Sequence, residues 1–425
     1  MPLRIIPAGG IEIRGASVNG GDAQLQDDGN ARVVDDQGQT VTVRFDRGGE
    51  GQFDVLPPSE AERARGWARI DTQNNGSVIA YRVDDNIVLL PRPDLENWQS
   101  QLPDDRALAD VTIPGTHESA SLSGGFISIC HTDDIRTQLN QGIRFLDIRL
   151  KVINGELQTY HGIQPQNSTL REQIGWVNDF LRAHNREAVF VSIKQENDNN
   201  PDFGRLVEEA FKEGGLTRWD EVLPTLGEAR GKAILFSRFH KNEDSQFPNG
   251  MGIRPTTWPD NNPGFEWDSN GTPFRVQDVY DTGDIGSKTD IVIRHIEGTT
   301  GPRGNGLGNN HPYTLSFATA AKFPQSPPQW MASGSGSGMG VSKVLGNITS
   351  LFAGGGGGGG ENGGGGNAGP QGGVNSRLAY WLLQRAAEGK RPRATIMLDF
   401  YRETGGGDAG VSELLAALNY INTNE

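Results

Sequence analysis

The stretch Asp110-Val-Thr-Ile-Pro-Gly-Thr-His-Glu-Ser119 sets the reading of this chain. Val111–Ile113 has the look of a short apolar strand, and Pro114-Gly115 are expected to end it at once. His117 then falls just past the strand's C-terminal end. In barrels and open α/β sheets that end gathers chemistry, because its loops vary without disturbing the core.

Working outward, apolar strand-like runs alternate with helical periods after Pro91-Arg92-Pro93, the signature of an α/β architecture. Eight candidate strands lie near 111–113, 144–149, 157–160, 188–193, 233–237, 274–277, 313–317 and 395–399. Helices are expected over 167–184, opened by a Ser168/Thr169 cap, and over 203–212, 284–296, 374–387 and 410–422. Eight strands with intervening helices imply an irregular (β/α)8 TIM-type barrel spanning 93–425. Residues 1–92 read differently. Short alternating runs such as Thr40–Phe45, Ser77–Val83 and Asn86–Leu90, divided by Gly, Asp and Asn, imply a small all-β N-terminal domain. It reads as a stabilising or positioning module, since no aromatic cluster marks a sugar platform. The tract 354–373, nearly pure Gly and Asn, is expected to be a mobile insert, and the Gly/Ser run Ser333–Gly340 is similar. Between them, Val341–Phe352 carries a short apolar run that could pack on the body or touch lipid.

Composition narrows the function. A net charge of −14 over 425 residues offers no basic stripe for phosphates of nucleic acid and no bulk attraction to anionic membranes. Cys130 is the single cysteine, so neither an intrachain disulfide nor a Cys-based metal site is expected. The N-terminus lacks a basic segment followed by a long apolar run, so a cytoplasmic location is the default expectation.

Period-two alternation sorts the strand residues by face. Leu146, Ile148 and Leu150 share one face; Phe145, Asp147 and Arg149 share the other, which should point into the barrel. The same test brings His161, the Ser192/Lys194/Glu196 face, Arg238, Asp278, Tyr280 and Asp399 to the C-terminal end of the same sheet. Each alone reads as a solvated strand end or a structural ion pair. Gathered at one mouth, two His, three cations and several carboxylates describe a polar binding cup.

The ordered motifs Ile113-Pro-Gly-Thr-His-Glu-Ser, Gly142-Ile-Arg-Phe-Leu-Asp-Ile-Arg, Tyr160-His-Gly, Val191-Ser-Ile-Lys-Gln-Glu, Arg230-Gly-Lys, Val276-Gln-Asp-Val-Tyr and Leu398-Asp-Phe resemble bacterial phosphatidylinositol-specific phospholipase C. The resemblance runs from about residue 96 to 403 and leaves residues 1–92 uncovered. It implies a general base at His117 held by Asp399, and a general acid at His161 supported by Glu118. Glu118 stands where the family usually carries Asp. Arg149 would bind the phosphate, where calcium-dependent relatives carry a carboxylate and a metal. That implies a metal-independent enzyme with no cofactor. Lys194, Arg238 and Asp278 would hydrogen-bond inositol hydroxyls and Tyr280 would stack on the ring. The implied reaction cleaves phosphatidylinositol, plain or glycosylated, to diacylglycerol and inositol 1,2-cyclic phosphate through attack by the inositol 2-hydroxyl. A monomer touching membranes transiently is expected, and family members are often secreted.

Phe126–Ile129 falls where the family places a lipid-touching segment, with core packing as the other reading, and Trp330 is a second lipid candidate. His131, His184, His240, His295 and His311 match no catalytic position and read mostly as surface or loop residues. Gly304-Asn-Gly-Leu-Gly lacks the strand-to-helix context of a dinucleotide fingerprint. Alternatives are a related phosphodiesterase on another head group and a non-catalytic inositol-phosphate-binding pseudoenzyme. The pseudoenzyme reading predicts loss of a catalytic group. A glycosidase would show a flanking carboxylate pair, where here a His pair stands with Arg.

Overall fold

The computed structural model describes residues 2–35, 39–196, 199–239, 251–301, 311–334, 370–404 and 410–421. The expected mobile insert up to residue 369, most of the Gly/Ser run, Val341–Phe352, His240 and Gly304–Gly308 lie outside the described residues.

The main sheet follows from alternation. Its strands run in the spatial order Thr217–Arg218, Lys232–Arg238, Ala188–Gln195, Phe145–Ile153, Ile113–Thr116, Thr395–Leu398, Tyr313–Phe317 and Thr272–Asp278, all parallel, with Asn262–Ser269 added antiparallel at the last edge. Curled on itself and backed by helices, this is a TIM-barrel-like α/β fold with an all-β region before it. Among the described residues the first and last strands share no ladder, so the barrel is not closed by hydrogen bonds. Aromatic side chains fill that seam: Phe236 packs edge-on to Trp258, Trp267 and Phe274.

Phe145, Phe190, Phe236, Phe274 and Tyr313 point inward, the first two stacked with ring centroids 5.3 Å apart. Each such pair contributes about 0.5–1.5 kcal/mol beyond its buried area. Leu146, Ile148 and Leu150 face the other way, into the layer beneath the helices Leu170–Ala183 and Phe203–Gly214. The first of these helices starts where its capping box says it should, with Thr169 accepting from Glu172 N and the Glu172 carboxylate from Thr169 N.

Three expectations need correction. The first strand is Ile113–Thr116, not Val111–Ile113, so Pro114-Gly115 sit inside it. Pro114 still accepts from Arg144 N through its carbonyl, and Gly115 is required by crowding, since a Cβ there would lie 2.5 Å from Met397 Sδ. Residues 156–161 are not a barrel strand. The Phe145–Ile153 strand overshoots the mouth, turns at Asn154-Gly155, both at positive φ, and returns antiparallel as Glu156–His161. Asn-Gly is the sequence signal for that hairpin, and the eighth parallel strand is instead the two-residue Thr217–Arg218. The C-terminal helix is Val411–Leu418, shorter than the expected 410–422, and is buried on every face because it is packed between the barrel and the N-terminal region.

The N-terminal region forms a four-stranded and a six-stranded sheet with an apolar layer between them. The outer face of the six-stranded sheet packs on the helices Val374–Ala387 and Val411–Leu418. There Trp67 Nε1 donates to Ser376 O at 3.0 Å, and Arg69 pairs with Glu413 at 2.6 Å.

Below the mouth, the fully buried Arg144 pairs with the equally buried Glu187 at 2.9 Å and donates to the carbonyls of Leu95, Glu96, Leu139 and Ile143. Removing one member strands the other charge. Glu187→Ala is expected to lower stability by about 3–5 kcal/mol in urea titration. A loss below about 1 kcal/mol, the range of an exposed pair, would show that the pair is not structural.

Candidate active site

Among the described residues, six of the parallel strands deliver a charged or histidine side chain to the mouth. His117 follows the Ile113–Thr116 strand directly, its N–H donating to Leu398 O at 3.0 Å. Asp399 follows the neighbouring strand Thr395–Leu398, so the two side chains meet across adjacent strand ends although 282 residues separate them. His117 Nδ1 lies 3.0 Å from Asp399 Oδ1. An ionised Asp399 accepts the Nδ1 proton and leaves Nε2 with its lone pair. Burial foremost, helped by Arg149 and His161, pushes the His117 pKa well below the usual 6.5, so the ring rests neutral. Burial and the charge of Glu118 push the Asp399 carboxyl up, making it a stronger acceptor for a proton that arrives on the imidazole.

Glu118 sits at φ +44° and turns its carboxylate into the cup. One oxygen is 2.5 Å from Arg149 Nη1; the other is 3.1 Å from His161 Nδ1 and accepts from Ser121 Oγ at 2.8 Å. The longer Glu side chain therefore reaches both partners. His161 Nδ1 also lies 3.0 Å from Ser128 O. With two acceptors around it, Nδ1 must carry hydrogen. The hairpin correction matters here, because it is the returning arm that brings His161 back to the mouth.

Arg149 is gripped by Glu118 and by Asp147 at 3.3 Å, and these carboxylates overcome burial to raise its already high pKa. The three remaining charged groups continue around the cup. Lys194 pairs with Glu196 at 3.1 Å, and the neighbouring Arg149 charge, with burial, lowers its pKa. Arg238 lies 3.5 Å from Asp147 and 3.9 Å from Asp278, and its guanidinium stacks 3.7 Å from the Trp258 ring centroid. Asp278 accepts from Trp258 Nε1 at 2.9 Å. Tyr280, 42% exposed, stands at the rim with its hydroxyl donating to Asp260 at 2.6 Å. All nine residues singled out from the sequence line one open cavity of about 1420 Å³, above the common range of small-molecule pockets.

Several members of the cavity escaped the sequence reading. Glu196 was visible on the inward face of its strand without receiving a role. Trp258 and Asp260 come from the loop before Asn262–Ser269, which carries no periodicity to place them. Cys130 lines the floor and is fully buried. His131 and His295 are buried rather than surface residues, and His131 Nε2 donates to His117 O at 2.7 Å, bracing the residue from behind. Phe126 and Ile127 are exposed, which decides against core packing, and Trp330 is also partly exposed. No helix among the described residues is long and apolar enough to cross a membrane.

A cup of two histidines, an arginine and carboxylates at the C-terminal mouth of a TIM-like barrel defines a site fitted to phosphoryl chemistry. Residues 105–239 match the family described as phosphatidylinositol-specific phospholipase C, X domain, so the resemblance read from the motifs holds over that segment. Similar curated proteins are a 1-phosphatidylinositol phosphodiesterase of Listeria monocytogenes, 30% identical over 159 residues (34% of this chain and 49% of the relative), and one of Staphylococcus aureus, 28% identical over 203 residues (44% and 64%). The matches thus span about half to two thirds of the length of those relatives. A solved mutant of phosphatidylinositol-specific phospholipase C from Staphylococcus aureus superposes with a TM-score of 0.57 at 20% identity, covering 76% of this chain and 98% of that one.

Proposed function

We propose that this chain is a metal-independent phosphatidylinositol-specific phospholipase C. The observation that carries the reading is the pairing of a neutral His117–Asp399 couple with a Glu118-held His161, with Arg149 tied to the same Glu118. His117 Nε2 takes the proton of the inositol 2-hydroxyl as its oxygen attacks phosphorus, and Asp399 stabilises the imidazolium that results. His161 gives a proton to the departing diacylglycerol oxygen. Arg149, a fixed cation, stabilises the charge on the non-bridging oxygens, the work a metal does elsewhere. Both reacting groups sit on one substrate, so an internal hydroxyl replaces an activated water and the first product is inositol 1,2-cyclic phosphate. The head group is held by Lys194, Arg238 and Asp278 with Tyr280 at the rim, while exposed Phe126, Ile127, Phe323 and Trp330 offer brief contact with lipid.

The test of substrate class is release of diacylglycerol from vesicles of phosphatidylinositol against vesicles of phosphatidylcholine. Turnover of the first alone is expected. Equal turnover of both would favour a phosphodiesterase with another head-group preference, and none on either would favour the pseudoenzyme.

The pH profile gives a second check. The base works only when neutral, so activity is lost as pH falls through the His117 pKa. Because burial and the neighbouring cations lower that pKa, the acid limb of kcat/KM is expected below pH 6.5. A limb at or above 6.5 would contradict the assignment of His117 as base.

A further inference from the structure

Cys130 lines the cavity beside His117 and Asp399, and the proposed reaction gives it no step. Its position is fixed from both sides: Cys130 N donates to Ser121 O at 2.9 Å, and its carbonyl accepts from Phe400 N at 2.9 Å. That second bond ties it to the residue after Asp399. Asn375 Nδ2 in turn donates to the carbonyls of Asp399 and Phe400, locking the same corner. The result is a juxtaposition of one sulfur, one ring nitrogen and one carboxylate oxygen, from Cys130, His117 and Asp399, all within 4.8 Å of one another.

We infer that His117, Cys130 and Asp399 form an inhibitory binding site for a borderline-soft divalent cation of the zinc type. The donor set selects the metal class. A thiolate with an imidazole and a carboxylate suits Zn²⁺ or Co²⁺, whereas Mg²⁺ and Ca²⁺ take oxygen ligands. Zinc-ligand bonds of 2.0–2.3 Å in a tetrahedron place donor atoms roughly 3.3–3.8 Å apart, so the His117–Asp399 pair, at 3.0 Å, needs to open slightly and the sulfur to close by about 1 Å. All three residues are among those that line the cavity, although Cys130 itself is fully buried. On binding, the thiol loses its proton to solvent, the His117 Nδ1 proton gives way to one carried on Nε2, and the metal takes both places.

The consequence rests on the function proposed above. The metal would occupy the ring nitrogen and the carboxylate that make up the proton-accepting couple, so the loaded protein cannot deprotonate the 2-hydroxyl. Zinc would act as a reversible off-switch in an enzyme that needs no metal to work.

The experiment uses the full chain, untagged and stripped with chelator that is then removed. Equilibrium dialysis against Zn²⁺ and absorption spectra with Co²⁺ read binding without reference to turnover. The expected result is a thiolate-to-cobalt charge-transfer band in the wild-type chain that vanishes in Cys130→Ser and Cys130→Ala. Zinc binding in those variants should weaken by roughly a hundredfold or more. On phosphatidylinositol vesicles, zinc should inhibit the wild-type protein, with the inhibition shifted by the same factor in either variant and metal-free turnover retained. Circular dichroism confirms that the variants are folded, and two substitutions guard against one misfolding. Absence of the band, or a band and zinc affinity unchanged in both variants, overturns the proposal. Metal binding lost with Cys130 in a protein that shows no turnover when metal-free would instead uphold the site and overturn the function.

Discussion

His117→Ala is expected to leave the fold intact and cut kcat on phosphatidylinositol by about 10³–10⁴. General-base catalysis alone is worth about 10²–10⁴. The upper half of that range is expected here because the rest of the apparatus depends on this ring. Asp399 holds His117 Nδ1 at 3.0 Å, and the imidazole is the group at which a proton from the 2-hydroxyl would be received within the dyad. The fold should survive, since the bonds that fix His117 use its backbone and not its ring: His117 N donates to Leu398 O, and the His131 side chain donates through Nε2 to His117 O. The checks are steady-state kinetics on vesicles and the thermal midpoint. Turnover within tenfold of wild type would remove His117 from the mechanism.

The second large effect belongs to Arg149. Arg149→Lys keeps a positive charge yet is expected to lose about 10²–10³ in kcat/KM, because an ammonium cannot hold Glu118 and Asp147 while also presenting a planar fork to a phosphate. Arg149→Ala should cost at least as much. It also carries a diagnostic: the positive neighbour that helps to depress the His117 pKa is gone, so the acid limb of the pH profile should move upward. A purely structural Arg149 would change stability and leave that limb where it was. Full activity of Arg149→Lys restored by calcium would mean that the phosphate charge can be met by a metal, and that the metal-independent role is misassigned.

Much of this site was legible because inward-facing strand residues obey a period of two. Asp147 and Arg149 were placed by Leu146 and Ile148 between them, and Lys194 by Ile193, since the apolar residues must go to the helix layer. The alternation says which face a residue takes and not which strand sits beside which. His117 and Asp399 meet because their strands are neighbours in the sheet, a fact set by long-range pairing. In the sequence reading only the family resemblance linked them. Reading Glu156–His161 as a barrel strand failed for a different reason. A local turn signal, Asn154-Gly155, competed with an apolar run that looked like a strand of the main sheet, and the turn won. Pro114-Gly115 misled in the opposite sense. They mark an end in most chains, but here a close approach of Met397 and Phe145 to the backbone makes Gly115 the residue that fits inside the strand. The loop that supplies Trp258 and Asp260 has no period at all, so nothing short of the folded chain could have placed them over Arg238 and beside Tyr280.

The role of Glu118 is the part of the site that changed most between sequence and structure. In place of a shorter Asp, its carboxylate spans Arg149 and His161 and so links the group proposed to bind phosphate to the proposed proton donor. A phosphate entering the cup must share Arg149 with it, which couples substrate binding to the hydrogen bond on His161.

The most direct measurement of the central claim is phosphorus NMR of the wild-type protein turning over phosphatidylinositol in the presence of chelator. Inositol 1,2-cyclic phosphate is expected as the first phosphorus-containing product, formed without calcium. Inositol 1-phosphate appearing first, or no product until calcium is supplied, would contradict attack by the 2-hydroxyl under His117 and Arg149.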